Sequence, residues 1–250
     1  MQNIKDTLSY IQGAKLGDFI HSLCVCKYNY ETQGKKADLY IANGGDVWEK
    51  GVEYTYNDLK PLLKKQEWLN SFKIYDGSID LRDINYHLIQ FRVSPLLFRT
   101  NWIELYFNDF LNVSNPPKEY SWIETEKDES LKNTVLVNRN MKPMSDQITS
   151  IYRTILEPHD DVAFICFDKE QYDNFKLKDK CRPIFVDNLT DFFTKINSCK
   201  LYVGNQSAPS AFSVALNVPR IIELHNINMF HYMKDKEYYK NFDYFISDVL

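Results

Sequence analysis

Residues 201–219 read LYVGNQSAPSAFSVALNVP, and their order decides the architecture of the C-terminal half. Leu201, Tyr202 and Val203 form an apolar strand, Gly204 marks a tight turn, and small and apolar residues run as a short helix to Asn217. Pro219 closes the unit, and Arg220–Leu224 (RIIEL) reads as the next strand. Ser207 and Ser210 sit where the helix begins. A helix that starts at the carboxyl end of a parallel strand presents free backbone N–H groups and the positive end of its dipole, which suits a diphosphate. The same pattern also fits an ordinary strand–turn–helix packing unit.

A counterpart lies near the other end, where residues 8–31 read LSYIQGAKLGDFIHSLCVCKYNYE. A short strand enters a loop holding Gly13 and Gly17, and a helix opened by Asp18 follows. The chain has only eight glycines, and Gly17 and Gly204 fall at equivalent places in two βα units. Both places require a backbone that turns sharply and leaves room for a ligand. Neither the GxGxxG spacing nor a Walker A loop is present. Asp18 has two readings: a helix cap, the commoner role for Asp there, or a carboxylate base held over a cleft. His21 lies one turn further along the same face, placed to orient an acceptor or the carboxylate, or simply to pack.

These segments resemble a known family. Gly17–Asp18 followed by an apolar helix is similar to the N-terminal loop of the heptosyltransferases, the ADP-heptose–lipopolysaccharide glycosyltransferases of GT-B fold. VGNQSAPSAFSVALNVP resembles that family's donor loop, G-N/V-D-S/T-G-P-x-H, followed by a small-residue helix and a Pro before the next strand. Gly204, Asn205, Ser207, Pro209, Ala215, Leu216 and Pro219 match, while Gln206 replaces the usual Asp, Ala208 the usual Gly and Ala211 the usual His. The resemblance implies an α/β, GT-B-like fold: two Rossmann-like domains whose parallel sheets face a central cleft. It implies a glycosyltransferase that moves a sugar from a nucleotide-diphosphate sugar to a glycan or glycolipid hydroxyl by direct, inverting attack. Asp18 then falls on the family's catalytic carboxylate. Gly204, Asn205, Gln206, Ser207, Ala208 and Ser210 fall on its donor loop, and Lys15 and Gly17 on the acceptor side. The family commonly places a Lys in the loop after the first strand of its second domain, and NRNMKPMS (138–145) supplies Arg139 and Lys142 there.

Composition narrows the alternatives. At 250 residues, the chain can form one large domain or two small ones, and 44% hydrophobic residues fill the cores either needs. A net charge of −4 argues against a general nucleic-acid binder. Five cysteines at irregular spacing form no disulfide framework and read as reduced, buried thiols. No zinc pattern, signal-like leader or membrane-length apolar run occurs, so a cytoplasmic protein with at most peripheral membrane contact is expected.

The first half alternates strand and helix: strands at 8–13, 38–42, 72–75 and 86–91, helices at 18–31, 56–65 and 101–111. Trp102, Leu105, Tyr106 and Phe110 recur at helical spacing as a packing stripe. Residues 112–132, with a Pro pair and a run of charge, read as a linker. The expected domains are therefore 1–115, a linker at 116–132, and 133–250. The second half beats more regularly: strands at 134–138, 162–167, 183–186, 201–203 and 220–224 separated by helices at 145–156, 169–176, 189–198 and 208–216. That alternation means βαβ units and a parallel sheet. The aromatic tail, 229–246, reads as a helix.

Glycosyl transfer needs a base for the acceptor, stabilisation of the leaving diphosphate, and a cleft that excludes water. No D-x-D metal motif occurs, and the nearest sequence, Glu124-Thr-Glu126, lies in the linker. A helix N-terminus with basic side chains, and no metal or cofactor, is the expected device. Glu223, followed by His225 and Asn226, ends a strand where a carboxylate can accept from ribose hydroxyls. Asp187 and Asn188 end another, with helix capping the preferred role for Asn188. Two further readings remain open: a non-catalytic nucleotide-sugar or glycan-binding relative, and a GT-B-shaped nucleotide-sugar epimerase.

Overall fold

The structure, a computed structural model, describes residues 6–44, 48–97, 99–140, 144–224, 239–240 and 242–246. In the first half β1 (Thr7–Gln12), α1 (Leu16–Gln33), β2 (Lys36–Ile41), α2 (Val52–Leu63), β3 (Leu69–Ile74), β4 (Tyr86–His87) and α3 (Trp102–Leu111) follow in turn. The second half contains β5 (Val135–Asn138), α4 (Asp146–Leu156), β6 (Val162–Cys166), α5 (Lys169–Asp173), β7 (Arg182–Phe185), α6 (Leu189–Ser198), β8 (Leu201–Asn205), α7 (Ala208–Ala215), β9 (Arg220–Leu224) and β10 (Phe242–Ile246).

Two sheets result, ordered β3-β2-β1-β4 and β10-β9-β8-β5-β6-β7. Every strand pairing described in them is parallel. This is the α/β, GT-B-like architecture expected from the sequence. Each sheet reverses its direction of growth once, between β1 and β4 in the first and between β5 and β8 in the second. At such switch points the loops at the carboxyl ends diverge and open a crevice.

Helix α1 carries the first half into the second. Residues Phe19 to Cys26 are buried without interruption, so this part of the helix is covered on every face and lies inside the molecule. Gly34 ends it in a left-handed conformation (φ 67°), its N–H closing on the Tyr30 carbonyl at 2.9 Å. Around α1 a single apolar core runs through both halves, including Phe19 and Leu23, Leu59 and Leu62 of α2, Phe193 of α6 and Phe212 of α7. Each large side chain buried there stabilises the fold by about 1.5–3 kcal/mol. A second cluster, with Val135, Tyr152 and Phe164, fills the space between the other face of the second sheet and α4.

Several expectations are corrected. Gly204 lies inside β8, opposite Asn138 of β5, and makes no turn. It is required by space: a Cβ there would lie 2.6 Å from the Asn138 carbonyl oxygen and collide with the Tyr202 hydroxyl. Gly17 is in the first turn of α1, where a Cβ would stand 3.6 Å from Ala208 Cα and 3.8 Å from Ala211 Cβ of α7. The two glycines are therefore not equivalent. The strand expected over 86–91 pairs only at Tyr86 and His87, and Leu88–Val93 continues as a 3-10 turn. Its buried residues, Leu88 and Phe91, are three apart, which matches the 3-10 period. The expected linker does run between the two sheets' halves, and it is itself packed. Trp122 is fully buried, its indole N–H donates to the Ile20 carbonyl at 2.7 Å and its backbone N–H to Ala215 at 3.0 Å. Of the tail expected to be helical, Phe242–Ile246 forms β10 beside β9, and 229–238 and 241 lie outside the described residues. The aromatic stripe of α3 does pack, Trp102 on Tyr106 and Tyr106 on Phe110. All five cysteines are buried and unpaired with one another.

Candidate functional site

A cleft of about 670 Å³ lies between the halves, at the carboxyl ends of both sheets. One wall carries Lys15, Leu16 and Gly17 at the start of α1, with Lys50, Tyr54 and Asp58 following β2. The other carries Asn140 after β5, Phe167 and Asp168 after β6, Leu189 after β7, and Gln206, Ser207 and Ala208 after β8. The first turns of α1 and α7 thus approach each other at the cleft, with Gly17 against Ala208.

The start of α7 is built by its own cap. Ser207 is the N-cap in extended conformation, and Ser207 and Ser210 form a reciprocal capping box. The Ser207 amide donates to Ser210 Oγ at 3.2 Å, and the Gln206 amide donates to the Glu223 carbonyl at 3.1 Å. Pro209 has no N–H. Few of the donors expected at this end therefore remain for an anion, and the Ala208 amide, at the cleft wall, is the first-turn donor not spent in this way. Asn205 is fully buried. Its Oδ1 accepts from the Asn140 amide at 3.1 Å and its side-chain amide donates to Asn140 Oδ1, locking the loop after β5 to the end of β8. Ser210 is buried within the cap. Of the residues expected on a donor loop, then, Gln206, Ser207 and Ala208 reach the cleft, while Gly204, Asn205 and Ser210 support it from behind.

Arg139 and Glu223 are placed together, away from the cleft wall. The guanidinium Nε donates to Glu223 Oε2 at 2.8 Å and Nη2 to Oε1 at 3.0 Å, with side chains only 2% and 0% exposed. The Tyr152 hydroxyl donates to the same carboxylate at 2.9 Å. Burial and this carboxylate together push the Tyr152 hydroxyl well above its ordinary pKa. A buried charge requires a partner, and each of these supplies the other's. In this structure Arg139, expected at a diphosphate, and Glu223, expected at a ribose, hold each other. Lys142, His225 and Asn226 lie outside the described residues. The described cations at the cleft are Lys15 and Lys50, the latter with Nζ 4.8 Å above the Tyr54 ring.

Asp18 occupies the third position of α1, next to the lining residue Gly17. Its side chain is 21% exposed, and Oδ2 accepts from Arg92 Nη2 at 2.7 Å. Its backbone carbonyl accepts from the Tyr106 hydroxyl at 3.2 Å. Burial raises its pKa, against the lowering pull of Arg92 and then Lys15. His21 does not share the cleft. It is 2% exposed and stacked on Trp102, ring centroids 5.0 Å apart, so its place is in the core.

Sequence reasoning missed Arg92, Lys50, Asp58 and the exposed rings Tyr54 and Phe167. Asp58 Oδ1 accepts from the Leu189 amide at 3.0 Å, tying α2 to the start of α6 across the cleft. Its pKa is raised by burial and pulled back by that amide and by Lys50. Asn188 caps α6, accepting from the Asp191 amide at 2.9 Å, as its position before the helix indicated. Phe167 alone left a readable signal, a ring immediately after the buried VAFIC strand. Among the described residues no three His, Cys, Asp or Glu side chains gather as a metal-binding group, and no helix is long and apolar enough to cross a membrane.

No family model and no curated protein sequence matches the chain. Solved structures do. The glycosyl transferase family 9 protein from Veillonella parvula DSM 2008 superposes with a TM-score of 0.59 at 11% identity, over 100% of this chain and 90% of that one. E. coli heptosyltransferase WaaC with ADP gives 0.57 at 11%, over 96% and 93%. E. coli ADP-heptose lps heptosyltransferase II gives 0.56 at 11%, over 96% and 90%. At such identity the likeness speaks for architecture, and over nearly its whole length this chain has the two-sheet fold of the heptosyltransferase and family 9 glycosyltransferase structures.

Proposed function

We propose that the protein is a glycosyltransferase that binds a nucleotide-diphosphate sugar in the cleft and transfers the sugar, without a metal, to a hydroxyl of a glycan or glycolipid. The observation that carries this reading is the meeting of the α1 and α7 first turns, one from each parallel sheet, at a cleft over two switch points. The donor rests against Gln206, Ser207 and Ala208, where the Ala208 amide, the helix dipole, Lys15 and Lys50 offset the charge of the leaving diphosphate. Asp18 takes the proton from the acceptor hydroxyl, and attack from the opposite face inverts the anomeric centre. A carboxylate raised by burial is a better base than a solvated one. Two similar WaaC structures that hold ADP and ADP-2-deoxy-2-fluoro heptose support the donor class.

The test is thermal shift and calorimetry with ADP, UDP, GDP, CMP and their sugar conjugates, with and without EDTA. A donor that binds the folded state raises Tm in proportion to the logarithm of its concentration over Kd. The expected result is stabilisation by one nucleotide diphosphate, unaltered by EDTA, and acceptor-dependent consumption of its sugar conjugate that Asp18→Asn abolishes. Stabilisation by none of them refutes the reading. A second reading, a relative that binds a nucleotide sugar without transferring it, is favoured by the α7 amides spent on their own cap and by the closed Arg139–Glu223 pair. It predicts donor binding with neither transfer nor hydrolysis.

A further inference from the structure

The first sheet's switch point brings together two residues far apart in the chain. Asp18 follows β1, and Arg92 lies in the 3-10 turn that follows β4, 74 positions later. Because β4 adds to the opposite side of β1 from β2, the loops leaving β1 and β4 emerge side by side at the carboxyl edge. The Arg92 guanidinium reaches Asp18 there through Nη2, 2.7 Å from Oδ2.

Both partners are braced by α3. Phe91, 2% exposed, packs against Trp102 and Tyr106, with ring centroids 5.7 Å apart in each case, and so holds the turn that carries Arg92. The guanidinium itself lies 5.2 Å from the Phe91 ring. From the other side, the Tyr106 hydroxyl grips the Asp18 carbonyl. Arg92 is nonetheless 46% exposed, so its position cannot be ascribed to burial of its head group. Its head group contacts a carboxylate beside the cleft, on a turn that the core holds firmly.

We propose that Arg92 is the positioning residue of Asp18, fixing the direction of the carboxylate and keeping it charged until an acceptor hydroxyl arrives. This rests on the reading of Asp18 as the base. Among the described residues three groups stand against Asp18. Lys15 comes from the cap of its own helix, Arg92 from the turn after β4, and Tyr106 from α3. Helix α7, opposite Gly17, presents Ala208 and Ala211, which carry no charge. Desolvation raises Asp18, and Arg92 is the largest opposing influence, ahead of Lys15. Without Arg92 the carboxylate would hold its proton to higher pH and swing freely in its turn.

The experiment titrates the Asp18 carboxyl by ¹³C NMR in the wild type, Arg92→Ala and Arg92→Lys, and follows the acid limb of kcat/KM with the donor found by the binding screen. Arg92→Ala is expected to move the midpoint up by about one pH unit, the low end for an Asp beside an Arg because the pair is part-exposed. Arg92→Lys returns most of that shift, and the acid limb moves in parallel. A merely structural Arg92 would move Tm and leave the midpoint and the limb in place, and that result overturns the proposal. Asp18→Asn separates the two readings. Full transfer in Asp18→Asn removes the base assignment itself. Transfer abolished by Asp18→Asn, with an acid limb unmoved in Arg92→Ala, removes the role of Arg92 alone.

Discussion

Replacing Glu223 by Gln breaks the most deeply buried ion pair described in this protein. Its two side chains are 0% and 2% exposed, and the carboxylate takes two donors from Arg139 and one from Tyr152. Glutamine keeps the shape and can still accept through its carbonyl oxygen, but it removes the negative charge that faces the buried guanidinium at 2.8 and 3.0 Å. Removing one partner of such a pair costs about 3–5 kcal/mol. For a chain of this length each kcal/mol lowers Tm by roughly 2–4 °C, so a fall on the order of 10 °C is expected. Urea unfolding at pH 7, followed by tryptophan fluorescence and circular dichroism, gives the free energy directly. Arg139→Met should cost a similar amount, and Arg139→Met with Glu223→Leu should recover much of the loss, because an apolar pair carries no desolvation penalty. Single changes that cost less than about 1 kcal/mol would refute the argument. If Arg139→Met then weakened donor binding while leaving stability intact, Arg139 would belong to the donor site after all.

Two other perturbations test the packing and the charges. Gly204→Ala is expected to destabilise by about 1–3 kcal/mol, since the new methyl meets the Asn138 carbonyl and the Tyr202 hydroxyl, and adding Tyr202→Phe should recover part of it, read as Tm of the single and double variants. Asp128 is held at a pKa of about 2 by Lys195, Ser130 and the Ser130 amide, below its ordinary 3.8. A lowered carboxylate stabilises the fold above its unfolded value, and that contribution is lost as pH falls from about 3.8 toward 2. Asp128→Asn should flatten the stability curve in that window and leave its slope at higher pH unchanged, measured by urea midpoints against pH.

The second half was readable because its strands are short apolar runs separated by helices with ordinary caps. The strand and helix at 220–224 and 189–198 fall where their patterns put them, and Asn188 caps as an Asn before a helix should. Where local pattern and long-range contact disagree, the sequence misleads. Gly204 looks like a turn, yet it is small because β5 passes close by, a fact that only the sheet pairing reveals. The run from 112 to 132 looks like a tether by its prolines and charges, but Trp122 anchors it between α1 and α7. At the site, the start of α7 and the position of Asp18 were legible as a strand–helix junction and a resemblance. Arg92 was not, because nothing in positions 86–93 announces that a strand will stop after two residues and turn toward a carboxylate 74 positions earlier. The pairing of Arg139 with Glu223 was hidden for the same reason: each looked like a loop or strand-end group seeking a ligand, and each found the other.

Trp122 and the α1–α7 contact also bear on how the molecule moves and how it could be divided. Prising the two sheets apart would expose the indole, unmake its bond to Ile20 and strip the buried face of α1. A wide hinge motion therefore has to break these contacts and expose apolar surface, which opposes it. Unfolding should be one cooperative event, with no stage at which either half stands alone. Severing the chain between the sheets would yield two fragments with raw apolar faces. An exchange of the C-terminal half for that of a relative could succeed only if the incoming helix matched the alanine surface that Gly17 now meets.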